Sequence, residues 1–126
     1  GILCIANPYN YTLLDDSYIE SFKLKLPKAR ILLTSQPIYN PNSNVYMGFY
    51  NESVKKQADT IYSLVANSPV KYVFSGDAHF FSKYTDSKIS YYNLGAISDK
   101  KNLQTPNFAI LSVYENTIDV VQVNLD

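Results

Sequence analysis

The sequence predicts an α+β fold with a mixed sheet, two helices and a C-terminal antiparallel meander. Short apolar runs alternate with helical patterns in the first half, and β-branched and aromatic residues dominate the second half. The chain has 126 residues, of which 46% are hydrophobic and 14% aromatic, so it can bury an ordered core. We therefore expect residues 1–126 to form a single domain.

The first elements follow a strand, helix, strand order. The apolar residues 2–6 predict a buried strand. Asp15 and Asp16 are residue types that favour the start of a helix, and Pro27 should end that helix. Residues 30–34 contain the apolar run Ile31-Leu32-Leu33 and predict the second strand.

A long loop and the clearest helix come next. Residues 35–50 carry prolines and asparagines that favour turns and resist sheet pairing, and long loops in compact domains are often functional. Between residues 52 and 66, apolar residues recur at the four-three-four spacing of one helical face: Val54, Ala58, Ile61 and Val65. The helix should stop before Pro69, and residues 70–74 predict a third core strand.

The second half predicts the meander. Its strands are expected at residues 89–94, 108–114 and 118–125. Glu115 and Asn116 would form a short hairpin turn between the last two strands. In the last strand the apolar phase changes after Val120, which suggests a bulge.

Composition excludes several function classes. Eleven basic and eleven acidic residues give no net charge, so the sequence offers no basic stripe for nucleic acid and no polybasic segment for an anionic membrane. The single Cys4 rules out an internal disulfide framework. No apolar run has the roughly 20 residues that a membrane-spanning helix needs.

The candidate site lies where three predicted strands end, because ligands of such sheets gather at the carboxyl ends of strands. Asp77 and His79, the only histidine, follow the third strand in the tetrapeptide Gly76-Asp77-Ala78-His79. A carboxylate and an imidazole can both bind a metal ion, and this pair does not select among iron, manganese, calcium and zinc. Gln36 and Asn93 follow the neighbouring strands and are candidates for substrate contacts.

These segments resemble the calcineurin-like metallophosphoesterases. Tyr72-Val73-Phe74-Ser75-Gly76-Asp77-Ala78-His79 is similar to the last metal-binding motif of that superfamily, where a strand ends in a Gly-His-x-His turn. Ser35-Gln36-Pro37-Ile38-Tyr39 stands where the superfamily has a His-x-Pro motif, and Tyr92-Asn93-Leu94-Gly95-Ala96 resembles its later Asn-x-Gly segment. The order and spacing agree along nearly the whole chain.

Two departures point to one branch of the superfamily. Asp77 replaces the first histidine of the turn, and Ser35 replaces the histidine of the His-x-Pro motif. The PhoD-like phosphodiesterase and alkaline phosphatase branch is similar in both respects, and Tyr46-Met47-Gly48-Phe49-Tyr50 resembles its aromatic-x-Gly-aromatic segment. The resemblance implies a metal-dependent phosphatase or phosphodiesterase with two metal ions, in which Asp77 and His79 are ligands and Gln36 lies near the site.

The resemblance covers only the C-terminal lobe of the family's four-layer α/β-β/α sandwich. The family's N-terminal ligands have no counterpart in this chain, and the sequence opens inside an apolar run without Met. We therefore expect a fragment that needs its N-terminal lobe as a partner, is inactive alone, and self-associates through an exposed strand edge. The family is compatible with an extracytoplasmic location.

A second hypothesis is that the chain is not catalytic. Asp77 could be a turn former, His79 a hydrogen-bonded half-buried side chain, and Gln36 a packing residue of its loop. In that case the chain would be a phosphoesterase-like binding or structural module.

Overall fold

The structure, a computed structural model, describes residues 1–5, 12–98, 100, 102 and 104–125. Its helices are α1 (Asp16–Lys25) and α2 (Glu52–Ala66), and a short 3₁₀ segment, Leu26–Lys28, follows α1. The strands are β1 (Ile2–Ile5), β2 (Ile31–Thr34), β3 (Tyr72–Ser75), β4 (Ser82–Asp86), β5 (Ile89–Asn93), β6 (Asn107–Val113) and β7 (Ile118–Asn124). Ala6, the last position of the predicted strand 2–6, lies outside the described residues.

Five strands form one sheet in the order β1-β2-β3-β5-β4. The first four strands of that order run parallel, and β4 pairs antiparallel with β5 at the far edge. Strands β6 and β7 form a separate antiparallel pair. The mixed sheet and the two helices confirm the predicted α+β class.

The helices begin at side-chain caps, which satisfy backbone donors that a helix leaves unpaired. The Asp15 carboxylate accepts a hydrogen bond from the backbone N–H of Tyr18 at 2.8 Å, which with the Ser17 hydroxyl lowers the pKa of Asp15. Asn51 caps α2 by accepting from the N–H of Val54 at 3.1 Å. The predicted helix bounds 52–66 are confirmed, as is the buried face of α2.

The core has two parts, one on each face of the five-stranded sheet. Both helices pack on one face, where Leu32 and Val73 of the sheet meet Phe22 of α1 and Ile61 of α2. On the other face, the β6–β7 hairpin packs through Ile118 and its neighbours, and the buried sheet residues there are Ile31 and Phe74. The described chain is therefore layered as helices, sheet and hairpin.

The predicted meander is wrong in its first strand. β5 does not pair with β6 but lies parallel to β3 in the main sheet, next to β4, which the sequence analysis did not predict. β4 is short and mostly polar, and the turn that joins it to β5 uses Ser87 and Lys88 at φ 49° and 66°. Serine and lysine do not favour a left-handed backbone. The turn therefore lacks the Asn-Gly or Asp-Gly pair by which such a hairpin is usually predicted from sequence.

The last hairpin is confirmed, but its predicted bulge is absent. Pairing runs without interruption from Asn107 opposite Asn124 to Val113 opposite Ile118. The apolar phase changes because β7 carries apolar residues on both faces: Val120 packs toward the main sheet, whereas Val121 is exposed. No helix within the described ranges is long and apolar enough to cross a membrane.

Candidate functional site

Three polar residues end β2, β3 and β5 in one register row, which we call the polar row. Thr34 aligns with Ser75, and Ser75 aligns with Asn93. All three are buried on the helix-covered side of the sheet. The predicted loops therefore begin at one edge of the sheet, as the strand order requires.

Ser75 and Asn93 are the two members of the polar row whose side chains are in contact, with the Ser75 hydroxyl 3.5 Å from Asn93 Oδ1. The Ser75 hydroxyl lies 3.3 Å from the Tyr92 carbonyl oxygen, and the backbone N–H of Leu94 donates to the Ser75 carbonyl at 2.7 Å. The amide Nδ2 of Asn93 donates to the backbone carbonyl of Phe80. Asn93 thus holds the chain just after the Asp77–His79 segment, and its contact with a substrate stays a prediction.

Asp77 occupies a strained turn directly after β3. Its φ is 74°, and the N–H of Ala78 donates to the carbonyl of Gly76 at 3.0 Å across it. This is a γ-turn with positive φ at its centre, a conformation that is rare because it is strained for residues other than glycine. Strain of this kind is common at functional sites.

Gln36 contacts Asp77 from the neighbouring strand end. Its Nε2 donates to Asp77 Oδ2 at 3.2 Å, and Gln36 is only 3% exposed while Asp77 is exposed. One hydrogen bond occupies one of about four lone-pair positions of a carboxylate, so Asp77 can still bind a cation. The sequence candidates Gln36 and Asp77 are therefore brought together.

His79 also has a left-handed backbone, at φ 60°. Its ring is half-buried, and Nδ1 lies 3.4 Å from the carbonyl oxygen of Lys100. A carbonyl can only accept, so this contact favours the tautomer with the proton on Nδ1, which leaves the Nε2 lone pair for a metal ion. Carbonyl support of this type is usual behind histidine ligands.

The donor set fits part of a metal site. Asp77 supplies a carboxylate and His79 an imidazole from one turn, with the Gln36 amide beside them. Within the ranges that the structure describes, no three His, Cys, Asp or Glu side chains lie together. The described residues thus offer two candidate ligands, Asp77 and His79, fewer than a site for two ions needs.

Sequence reasoning missed the support of this turn by a later segment. The Gln104 side-chain amide pairs with the backbone of Phe81 through two hydrogen bonds. Its Oε1 accepts from the Phe81 N–H at 2.7 Å, and its Nε2 donates to the Phe81 carbonyl at 3.0 Å. No sequence signal marks a glutamine for such a role. The pairing fixes the chain that leaves the turn against the segment that leads into β6.

No family model and no curated protein sequence matches the chain. Solved structures resemble it weakly. A conserved uncharacterized protein of Streptococcus pneumoniae, described as a predicted phosphoesterase, is 12% identical with a TM-score of 0.43, covering 98% of this chain and 88% of that one. Wild-type Vps29 of Entamoeba histolytica, complexed with Zn²⁺, is 9% identical with a TM-score of 0.36, covering 98% and 97%. These scores are too low to assign a family.

Proposed function

We propose that this chain is the C-terminal lobe of a metal-dependent phosphoric ester hydrolase, a phosphatase or phosphodiesterase of the calcineurin-like class and closest to its PhoD-like branch. The carrying observation is the Asp77–His79 turn. Both residues hold a left-handed backbone in one turn at the end of β3, a strained conformation of the kind that is common at functional sites. The motif resemblance supplies the enzyme class, and the complete fold would be the four-layer sandwich.

Each site residue has a proposed role. Asp77 and the Nε2 atom of His79 would hold metal, while Gln36 orients the Asp77 carboxylate and Lys100 orients the ring through its carbonyl. Asn93 would lie near the substrate. Two bound metal ions, drawn from iron, manganese, calcium or zinc, would orient the phosphate and lower the pKa of a bound water. The remaining ligands would come from the N-terminal lobe.

Metal binding by the chain itself tests the proposal. His79 is the only histidine, so its ring protons give a single pair of imidazole signals in a proton NMR spectrum. Added Mn²⁺ should broaden these signals selectively, because the ion is paramagnetic. Asp77→Asn should weaken the broadening, whereas Asp119→Asn, an exposed carboxylate on β7, should leave it unchanged. Equal broadening in both variants would remove Asp77 from the ligand set.

Turnover separates the enzyme from the alternative, a non-catalytic phosphoesterase-like binding or structural module. The chain alone should not hydrolyse p-nitrophenyl phosphate or its diester with Mn²⁺, Zn²⁺ or Ca²⁺, since it supplies two ligands. Turnover that Asp77→Ala abolishes would show that the chain assembles a site by itself. Metal binding without turnover even when a complete N-terminal lobe is supplied would favour the module.

A further inference from the structure

A cleft in the long loop lies outside the residues assigned above. It is open to solvent, has a volume of about 430 Å³, and is built from residues of one continuous stretch. Its lining includes two aromatic rings and a set of neutral polar side chains: Tyr39, Tyr46, Asn40, Asn42, Ser43 and Asn44. We propose that this cleft binds a neutral polyhydroxylated ligand, that is, a saccharide. The proposal stands on the cleft and does not rest on the phosphoesterase reading.

Asn40 gives the cleft an unused donor. The residue is 4% exposed, and its Oδ1 accepts from the N–H of Asn42 at 2.9 Å. Its Nδ2 is buried without a hydrogen-bond partner in the described part of the chain, although buried amide donors are normally paired. Asn40 also lines a narrow cavity of about 10 Å³ that reaches Ser75 and Asn93 and has room for one water at most. Because this nitrogen is buried, a ligand hydroxyl would pair with it through a water in that cavity.

The two tyrosines supply the apolar part of the site. Their ring centroids lie 5.2 Å apart with the planes at 65°, and Tyr39 remains 45% exposed. The row of rings continues from Tyr46 through Phe49 to Tyr50, at centroid distances of 5.4 and 4.6 Å. A sugar ring has an apolar C–H face that packs on such rings, and hydroxyls at its rim that pair with amides and phenols.

The cleft is held in shape before any ligand arrives. The Met47 N–H donates to the Pro37 carbonyl at 2.8 Å, which closes the loop, and the Val45 N–H donates to the Ser43 hydroxyl at 2.9 Å. The Tyr84 hydroxyl holds the Tyr39 carbonyl at 3.1 Å. Prior ordering of this kind lowers the entropy cost of binding.

Charge favours a saccharide over an anionic ligand. None of the lining side chains is basic or acidic, so the cleft has no cation with which to pair a phosphate or carboxylate. Nucleic acid would need such pairing along its backbone. A free nucleoside is uncharged and also stacks on aromatic rings, so it is the competing ligand that the experiment must separate.

The test is a titration of the full chain with cellotriose, maltotriose or tri-N-acetylchitotriose, each to about 20 mM, read from ¹H–¹⁵N chemical shifts. We expect at least one trisaccharide to shift the amides of residues 39–46. Tyr46→Leu should weaken that binding by about tenfold, and Tyr114→Leu, an exposed tyrosine outside the cleft, should not. Asn44→Ala, at an exposed position, provides a second variant if Tyr46→Leu fails to fold.

Two results would overturn the proposal. Either none of the trisaccharides shifts the cleft amides, in which case an adenosine titration shows whether a nucleoside binds there instead, or binding persists at full strength in both Tyr46→Leu and Asn44→Ala. Loss of binding confined to the cleft variants would support it. Because no metal is added, the outcome is independent of the Mn²⁺ experiment on His79.

Discussion

Arg30 and Tyr114 are 84 residues apart in sequence and directly hydrogen-bonded in the fold. The Arg30 Nη1 donates to the Tyr114 carbonyl at 2.8 Å and to the adjacent Glu115 carbonyl at 2.6 Å. Arg30 directly precedes β2, and Tyr114 follows β6, so this contact ties the hairpin turn to the main sheet. It supplements the apolar packing of Ile118 against Ile31 and Phe74.

Removing this tie should loosen the hairpin. Arg30→Ala is expected to lower the free energy of unfolding by about 2 kcal/mol, because hydrogen bonds from a charged donor are lost. Lys71→Ala, which removes an exposed cation directly before β3, should change the free energy of unfolding by less than about 0.5 kcal/mol. Urea unfolding followed by circular dichroism measures both, and equal effects would contradict a specific role for Arg30.

Gly48 should tolerate no side chain. Its φ is 78°, and a Cβ there would lie 2.2 Å from the backbone nitrogen of Lys55, in the first turn of α2. Gly48→Ala should therefore destabilise the chain by about 3 kcal/mol or more, since strain and overlap act together. At Gly76 an added Cβ meets only the Ser35 carbonyl at 3.5 Å, so Gly76→Ala is the matched control and should be nearly neutral. Thermal unfolding of the two variants compares them directly.

The strained backbone of Asp77 should lower the stability of the fold, while its carboxylate serves as a proposed metal ligand. Asp77→Gly relieves the positive φ and is expected to raise the free energy of unfolding by about 1 kcal/mol while it removes the proposed ligand. Asp77→Ala keeps the strain and should give no gain. Parallel urea unfolding and Mn²⁺ titration would show both effects, and a destabilised Asp77→Gly would mean that the carboxylate is structural.

Three stacked tyrosines should resist ionisation. Tyr91 lies between Tyr62 and Tyr84, at centroid distances of 5.4 and 4.7 Å, and burial raises the pKa of all three phenols. The Tyr62 hydroxyl also donates to Asp86 at 2.7 Å, which raises its pKa further.

The sign of the pH dependence follows from this. Because the folded state holds these protons more tightly, the three phenols contribute stability fully below the unfolded value of about 10, and this is lost as the pH rises above it. Absorbance at 295 nm and about pH 11 should show fewer phenolates in the folded chain than in urea, because these three phenols then titrate near the ordinary tyrosine value. If the folded chain and the chain in urea give the same absorbance titration while the fold stays intact, the prediction is refuted.

Self-association through β1 remains a prediction. β1 is the first strand of the sheet order, and Ile2 on it is 64% exposed. No strand in the described ranges pairs with its outer edge, so backbone donors and acceptors there are available to a second chain. Size-exclusion chromatography should show concentration-dependent oligomers that Ile2→Lys diminishes. A monomer at every concentration would contradict this.

Local signals in the sequence predicted much of the fold. The periodicity of α2 and the acidic cap of α1 act within a few residues, so both helices were predictable. The position of β5 was not, because it depends on pairing with β3 and on a turn whose left-handed residues, Ser87 and Lys88, carry no such preference. Strand pairing between distant segments leaves little trace in either strand alone.

In the candidate site, too, some features were predictable from the sequence and contacts between distant segments were not. Parallel strand ends predicted that Gln36 and Asp77 would be neighbours, and their hydrogen bond agrees with this. The contacts of His79 with Lys100 and of Gln104 with Phe81 could not be predicted, because each joins segments that are separated in sequence by the whole of β4 and β5. Such contacts depend on the path of the loop after the turn, and residue type does not encode that path.

The polar row also limits which insertions this lineage can accept. Side chains alternate between the two faces of a strand, so one extra residue within β2, β3 or β5 would rotate Thr34, Ser75 or Asn93 to the hairpin side of the sheet. The polar group would then enter the apolar cluster around Phe74. Changes in length should therefore accumulate in the 35–50 loop and spare the strands, so this loop is where descendants of the chain can diversify without losing the register of the three strand ends.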